Sequence, residues 1–210
     1  MVECFHSHFR PLPYERLNLP GTTDVDNWPP TEDYRFCPRC GGGLSRKRLK
    51  TNEPERLVCA SCQFVFFLDP KLAACSIFRL DGKVVLGRRA IEPGLGRWVF
   101  PGGFVDRGET VEEAAIREAR EEMNVEVRLL ELVNVYSYAR RPVVIVVYAA
   151  EVVGGELCAA DECLEVRGFA PEEIPWKELA FASTRDALRE YLRRYFCLRA
   201  VGPRPQGDRP

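Results

Sequence analysis

The stretch Gly103–Val125 has the sequence GFVDRGETVEEAAIREAREEMNV and contains the clearest helix signal in the chain. Thr110 suits the N-cap position, and Glu113 three residues later completes a capping box, in which each side chain accepts a backbone N–H of the other residue. Asn124 follows the last periodic residue and tolerates the left-handed conformation that ends many helices. The pattern therefore predicts a helix over residues 110–123.

Carboxylates lie unusually close to the apolar face of this helix. On a helical wheel Glu118 and Glu122 fall within or beside that face, and Glu121 lies at its edge. Glu118 and Glu122 are also an i,i+4 pair of like charge, which costs about 0.2–0.5 kcal/mol even in water, and burial would cost more. A hard divalent cation would compensate both, since Mg²⁺ takes oxygen ligands and bridges to substrate phosphates. The open alternative is a charged surface helix with Glu–Arg pairs.

Segments on both sides of the helix have strand patterns. Leu72–Arg79 and Lys83–Arg89 flank Asp81-Gly82, a strong hairpin signal. Further strands are predicted at Val125–Tyr138, Val143–Val153 and Cys163–Phe169, and an amphipathic closing helix is predicted at Ser183–Phe196.

Two C-x-x-C pairs precede the hairpin and are separated by 18 residues. Four thiolates at this spacing suit tetrahedral Zn²⁺. A redox dithiol would need only one such pair, and two chance pairs of free thiols are the remaining alternative. We interpret the pairs as a structural zinc ribbon whose ligands are Cys37, Cys40, Cys59 and Cys62.

Composition limits the partners. The 30 basic and 31 acidic residues give a net charge of −1, which does not favour nucleic acid as a partner. Arg46–Lys50 between the cysteine pairs could contact phosphates, but a solvated tip is the favoured interpretation.

The longest apolar run, Val143–Ala150, is far shorter than the about 20 residues that span a bilayer. No secretory signal is predicted, so we expect a cytoplasmic protein without membrane association.

The order of Gly103, Glu109 and Arg117-Glu118-Ala119-Arg120-Glu121-Glu122 resembles the signature of the Nudix hydrolases, which would cover Gly103–Val125. The preceding Gly96–Gly103 is similar to the usual lead-in of that family. One position differs, because Asn124 stands where the family normally has Gly; both residues can adopt the C-cap conformation, so we expect no loss of activity.

The resemblance implies an α/β fold, a Nudix-type α/β/α sandwich with a mixed sheet, preceded here by the small zinc ribbon. It implies hydrolysis of a pyrophosphate linked to a nucleoside diphosphate, with water activated by metal ions. The catalytic Mg²⁺ or Mn²⁺ would be bound by the Gly103 carbonyl, Glu118, Glu121 and Glu122, while Arg117 and Glu109 would pair to orient helix and loop. Glu162 or Glu165 would supply a general base or further ligand, and Glu162 is favoured for its place in a loop.

The resemblance extends beyond the signature to zinc-ribbon Nudix hydrolases close to the plant chloroplast FAD and ADP-ribose pyrophosphatases. We therefore expect an irregular arm at 1–35, the ribbon at 36–68, a hydrolase domain at 69–198 and a disordered tail at 199–210. ADP-ribose and/or FAD is the expected substrate, with release of AMP. One alternative is an NADH or NAD-cap pyrophosphatase. That group has a further motif downstream of the signature, and the corresponding stretch of this chain, Tyr136–Pro142, does not match it. The other alternative is a regulator that binds ligand without turnover.

Substrate contacts are expected from Arg97 and from aromatic residues that could stack on a base. The aromatic candidates are Phe100, Phe104, Tyr136 and Tyr138, each of which could equally pack in the core. A homodimer is left open.

Overall fold

A computed structural model describes residues 34–139 and 141–196, so the predicted N-terminal arm and C-terminal tail lie almost entirely outside the described residues. The described residues form eleven strands, two α-helices and one short 3-10 helix, Pro171–Glu173. The strands are β1 Leu44–Lys47, β2 Arg56–Cys59, β3 Val65–Phe66, β4 Lys71–Ile77, β5 Arg79–Leu80, β6 Lys83–Arg89, β7 Trp98–Val99, β8 Gly102–Phe104, β9 Val125–Ser137, β10 Val143–Gly155 and β11 Cys163–Phe169. The helices are α1 Val111–Met123 and α2 Ala182–Tyr195.

The first three strands form a small antiparallel sheet of their own, in the order β1-β2-β3. The remaining strands form two further sheets. One is mixed, in the order β8-β4-β10-β9, with β10 parallel to β4 and the other neighbours antiparallel. The other has the order β11-β6-β5, with β7 paired to β6.

The predicted hairpin forms, but its first strand is divided. Asp81 and Gly82 both have positive φ, 52° and 78°, as a two-residue hairpin turn requires. β4 ends at Ile77 and joins the mixed sheet, whereas β5 pairs with β6 in the other sheet. Phe78, fully buried between them, packs into the core cluster beneath α1. The apolar run is continuous because the chain crosses from one sheet to the other through the core.

Helix α1 has the caps that the sequence predicts. The Thr110 side chain accepts the Glu113 N–H at 3.1 Å, the Glu113 carboxylate accepts the Thr110 N–H at 2.8 Å, and Asn124 adopts the left-handed conformation at φ 55°. Alanines give α1 a flat, close contact with the mixed sheet: Ala114 and Ala115 pack on Ala74 of β4.

Helix α2 covers a separate, larger core cluster through Ala187, Leu188 and Tyr191. The two helices thus enclose the sheets, which confirms the predicted α/β/α architecture with a mixed sheet. Neither helix in the described part of the chain is long and apolar enough to cross a membrane.

Candidate active site and zinc site

Two adjacent glycines bring strand β8 against helix α1. Gly102 and Gly103 pair with Cys75 and Ala74 of β4. A Cβ at Gly103 would overlap the Glu118 carboxylate, and one at Gly102 would overlap the Cys75 side chain and the Ala74 carbonyl. Only a residue without a side chain lets the backbone of β8 approach both the sheet and the acidic helix this closely.

Glu122 is the most deeply buried carboxylate of the site, with 5% of its surface exposed. Its Oε2 accepts the Gly102 N–H at 3.1 Å. Burial is the main cause that raises the pKa of Glu122 to about 8; the charges of Glu118 and Glu162 act in the same direction, and the Gly102 N–H and the charge of Arg89 oppose them. The protein thus holds an acid in an environment that penalises its ionised form.

Glu118 and Glu121 lie on the same helix and are progressively more exposed than Glu122. Burial raises the pKa of Glu118, and its Oε1 accepts a hydrogen bond from Arg117 Nη1 at 2.6 Å. Glu121 is more exposed and accepts a bond from the same nitrogen at 2.9 Å. Both carboxylates therefore turn to one guanidinium.

Arg117 ties the helix to the loop before it. Its Nε and Nη2 donate to the two oxygens of Glu109 at 2.7 and 3.0 Å, and Nη2 also donates to the Phe104 carbonyl at 3.1 Å. This bidentate pair lowers the pKa of Glu109. The pairing of Arg117 with Glu109 that the resemblance implies is present, and it fixes the loop that leads from β8 into α1.

The two base candidates lie on or beside strand β11 and differ in what they face. The charge of Glu162 raises the pKa of both Glu118 and Glu122, and the Glu162 carbonyl accepts the Ala90 N–H at 2.7 Å, so this loop lies beside the acid cluster. Glu165 lies 3.9 Å from Arg88 as an exposed ion pair. The charge of Glu162 thus acts on Glu118 and Glu122, whereas Glu165 pairs with Arg88.

The carboxylates of α1 do not converge on a single point in the described part of the chain. Among the described residues, only the four cysteines form a group of three or more ligand atoms within 4.8 Å of one another. The buried Glu122, the half-buried Glu118 and the glycine backbone beside them still fit a hard divalent cation, because its charge would offset the burial of two carboxylates.

The expected substrate contacts are dispersed. Arg97 is exposed, and its Nη1 reaches the Leu179 carbonyl at 3.5 Å. Phe100 is 2% exposed within the core, so the structure corrects its expected role as a base-stacking surface. Tyr136 packs against the cluster that α2 covers, and the Tyr138 hydroxyl donates to Asp186 of α2 at 2.8 Å. The structure associates both tyrosines with α2.

Two contributions to the site were missed from the sequence. The Gly102 N–H is a donor to Glu122, although only Gly103 was singled out. The positive charge of Arg89, the last residue of β6, opposes the rise in pKa that burial causes at Glu122, Cys75 and Cys163. Arg89 is the second of two arginines after the buried run Val84–Gly87, and it is the less exposed of the two, which the sequence alone did not show.

The four paired cysteines form a compact cluster with all sulfur atoms within 4.8 Å of one another. Cys37 and Cys62 are 3.8 Å apart, and Cys40 and Cys59 are 3.5 Å apart. A tetrahedron with Zn–S bonds of about 2.3 Å has edges of about 3.8 Å. The backbone N–H groups of Arg39 and Cys62 lie 3.4 Å from the sulfurs of Cys37 and Cys59.

The electrostatics of this cluster also suit a divalent cation. The Cys62 N–H lowers the pKa of the Cys59 thiol to about 6, with burial acting in the opposite direction. The pKa of Cys40 is raised to about 12, since the neighbouring thiols outweigh the Gly42 N–H that lowers it. Thiols this close cannot all ionise unless a cation binds them.

Comparison with known proteins gives matches for both parts of the chain. The NUDIX domain family matches residues 69–193, and the zinc-ribbon family described as Nudix N-terminal matches residues 35–67. The ADP-ribose pyrophosphatase of Methanocaldococcus jannaschii is 36% identical over 135 residues, which are 62% of this chain and 78% of that protein. The NAD-capped RNA hydrolase NudC of Vibrio atlanticus is 29% identical over 129 residues, 60% of this chain and 45% of that protein.

Among solved structures, a NUDIX hydrolase from Nitrosomonas europaea superposes with a TM-score of 0.73 at 33% identity, covering 77% of this chain and 92% of that one. A MutT NUDIX hydrolase from Burkholderia pseudomallei gives a TM-score of 0.53 at 29% identity, covering 59% of this chain and 98% of that one. The match to the Vibrio atlanticus NudC spans less than half the length of that relative.

Proposed function

This chain belongs to the Nudix family of hydrolases and carries the N-terminal zinc ribbon of that family, and from this premise we propose that it hydrolyses the diphosphate bridge of ADP-ribose. The observation that carries the proposal is Glu122, a carboxylate buried on α1 against the Gly102 N–H. Burying the ionised form of this acid costs folding free energy, and binding a divalent cation that also contacts the substrate's phosphates would give that cost a function.

Glu118, Glu121, Glu122 and the Gly103 carbonyl would hold the divalent cation, Mg²⁺ or Mn²⁺. When bound, such a cation polarises phosphoryl oxygens and lowers the pKa of water at the site. Arg117 acts as a positioning residue, because its bonds to Glu109 and Phe104 set the distance between α1 and β8. The glycines of β8 let the backbone of that strand, including the Gly103 carbonyl group, lie close to the Glu118 carboxylate.

In the proposed reaction, water attacks one phosphorus atom of the diphosphate, and the bond from that phosphorus to the bridging oxygen breaks. The bridging oxygen leaves with the other phosphate, so ADP-ribose gives AMP and ribose 5-phosphate. Glu162 accepts the proton of the attacking water, since its charge is felt at Glu118 and Glu122. The same cleavage of FAD would give AMP and FMN.

ADP-ribose is proposed first because the archaeal relative with 36% identity is an ADP-ribose pyrophosphatase. FAD follows from the likeness of the sequence to the plant chloroplast enzymes. NADH or an NAD cap is the second candidate, supported by the NudC relatives, although Tyr136–Pro142 lacks the motif expected for that activity.

We further propose that the four cysteines bind one structural Zn²⁺, that the ribbon spans 36–68 and the hydrolase domain 69–198, and that the enzyme acts in the cytoplasm. The sulfur geometry supports the metal, and the family matches at 35–67 and 69–193 support the boundaries.

The test is a product assay over ADP-ribose, FAD, NADH, dinucleoside polyphosphates and nucleoside triphosphates, each with Mg²⁺ or Mn²⁺. We expect ADP-ribose to give the highest kcat/KM, with AMP and ribose 5-phosphate as products. Hydrolysis in ¹⁸O-labelled water should place label in a product monophosphate. Label confined to free inorganic phosphate would show a phosphatase and would overturn the proposed reaction.

A further inference from the structure

The neutral net charge of the chain conceals a segregation of charge. Residues 35–67, the zinc ribbon, contain seven basic residues and two acidic ones, a balance of +5, while the whole chain carries −1 and the remainder therefore −6. Four thiolates around Zn²⁺ would subtract two charges and leave the ribbon at +3. The ribbon is thus a basic module attached to an acidic domain.

The cations are accompanied by an exposed aromatic ring. Lys47 of β1 lies opposite Arg56 of β2, and the Arg56 guanidinium lies 5.3 Å from the centroid of the Phe67 ring that follows β3. These three side chains form a row across the small sheet, which we call the ribbon row. Phe67 is 53% exposed although it is a large apolar side chain.

More cations extend the ribbon row at the turn after β1. Arg48 and Lys50 are exposed there, as Lys47 is at the end of β1, and Lys50 pairs with Glu53 at 3.0 Å. A second aromatic ring, Phe36, is 71% exposed at the start of the first cysteine pair. The described part of the ribbon thus presents exposed cations and two exposed aromatic rings, Phe36 and Phe67.

We propose that the ribbon row and the adjoining turn form a binding surface for single-stranded nucleic acid. Single strands are bound by cations that neutralise the backbone and by aromatic side chains on which unpaired bases stack. The Arg56 guanidinium against one part of the Phe67 ring holds that ring in place and leaves its remaining surface for a base. A duplex offers phosphates but no open base faces, so it would use only the cations.

This surface is distinct from the hydrolytic site. No residue that we place around Glu118 and Glu122 belongs to the ribbon row, so nucleic-acid binding and hydrolysis can succeed or fail separately.

The experiment measures fluorescence anisotropy of labelled oligouridine and oligothymidine of about 20 nucleotides, and of a duplex, with the zinc-loaded full chain. The wild type should bind both single strands at about 50 mM salt and more weakly at about 200 mM. Replacing Lys47→Gln together with Arg48→Gln should reduce the slope of log K against log salt by about 1.4, since each phosphate contact on a single strand contributes about 0.7.

Matched controls separate charge location and stacking. Lys83→Gln with Lys177→Gln removes two exposed charges from the hydrolase domain and should leave the slope unchanged. Phe67→Leu should weaken single-strand binding at least about fivefold, Phe67→Tyr should restore it, and the duplex should not respond to either. The zinc content of each variant checks that the ribbon is folded.

Three outcomes would overturn the proposal. They are absence of binding at about 50 mM salt, an equal effect of the hydrolase-domain control, and binding of polyglutamate in place of the oligonucleotides, which would identify an acidic protein as the partner. If Phe67→Leu loses zinc, the double variant Lys47→Gln, Arg48→Gln is the test of the proposal, because both side chains are exposed and their replacement should leave the ribbon folded. A change in ADP-ribose hydrolysis is not needed for any of these outcomes.

Discussion

The zinc ribbon and helix α1 both gather candidate metal ligands, but they do so in opposite ways. The four ribbon sulfurs lie within 4.8 Å of one another at the spacing of a tetrahedral site. The carboxylates of α1 stay apart, with Glu118 and Glu121 bound to Arg117 and Glu122 bound to Gly102. A thiol cluster can remain partly protonated and therefore uncharged. Ionised carboxylates repel one another, and each accepts hydrogen bonds from the nearest donor.

This difference matches the two roles that we propose, a structural zinc site in the ribbon and a hydrolytic cation site on α1. A structural site benefits from a closed ligand set that the backbone alone assembles. A hydrolytic site must admit phosphate and water, so its ligands stay separate until the substrate complex is present. The following experiments test the proposal that the ribbon needs Zn²⁺ to fold, whereas α1 folds without a cation and would need one only for hydrolysis.

The largest effect is expected for Glu122→Gln. Hydrolysis of ADP-ribose should fall by about a thousandfold or more, because the deepest carboxylate of the proposed cation site is neutralised. Glu126→Gln, three residues beyond the last residue of α1 and exposed, is the matched control and should retain near wild-type kcat/KM. Near wild-type turnover of Glu122→Gln would refute the cation assignment.

In the presence of a metal chelator, Glu122→Gln should also change how the free energy of unfolding depends on pH. The pKa of Glu122 is about 8 in the folded protein, above its ordinary 4.5, so folding favours its protonated form. Its contribution to the free energy of unfolding therefore falls as pH rises from 4.5 to about 8. Glu122→Gln should remove this slope and raise the melting temperature at pH 7, and denaturation at a series of pH values checks it.

Cys37→Ser should abolish zinc binding and unfold the ribbon. Elemental analysis of the wild type should find about one Zn²⁺ per chain and of the variant almost none. Cys158→Ser, outside the cluster, should keep its zinc. Hydrolysis of ADP-ribose should survive in Cys37→Ser, because the acids lie on α1; if activity disappears with the zinc while the hydrolase domain remains folded, the separation of roles fails.

Arg117→Lys should lower kcat by about tenfold. Lysine keeps the positive charge but cannot donate two parallel bonds to Glu109, and hydrogen bonds to charged groups are worth about 1.5–3 kcal/mol. Arg120→Lys on the same helix, which is exposed, provides the control. Steady-state kinetics at saturating substrate distinguish this loss from a change in KM.

The smallest effect is expected for Thr110→Ala. Loss of the N-cap should reduce the free energy of unfolding by about 1 kcal/mol, with zinc content unchanged. Urea denaturation measures this difference, and Thr51→Ala in the ribbon turn serves as an exposed control. An N-cap effect on zinc content would show that the two regions are not independent.

The sequence predicted the elements that depend on near neighbours. The caps of α1 and the C-x-x-C pairs are set by contacts across a few residues, so their patterns are readable without a fold. The sequence left the outcome open where distant segments meet, as at Phe100, which could have stacked on a base or packed inside and which lies in the core. The apolar run before Asp81 likewise gave no sign that the chain would change sheets at Phe78.

By itself, the sequence determined the acidic helix, its ends and the cysteine ligand set, because helix capping and knuckle geometry are local and their free energies act within one or two turns. Only the tertiary structure decided which donor Glu122 would meet, since Gly102 reaches it across 20 residues through the pairing of β8 with β4. Only the tertiary structure also placed Lys47, Arg56 and Phe67 in one row, because strand register brings together side chains that no sequence spacing relates.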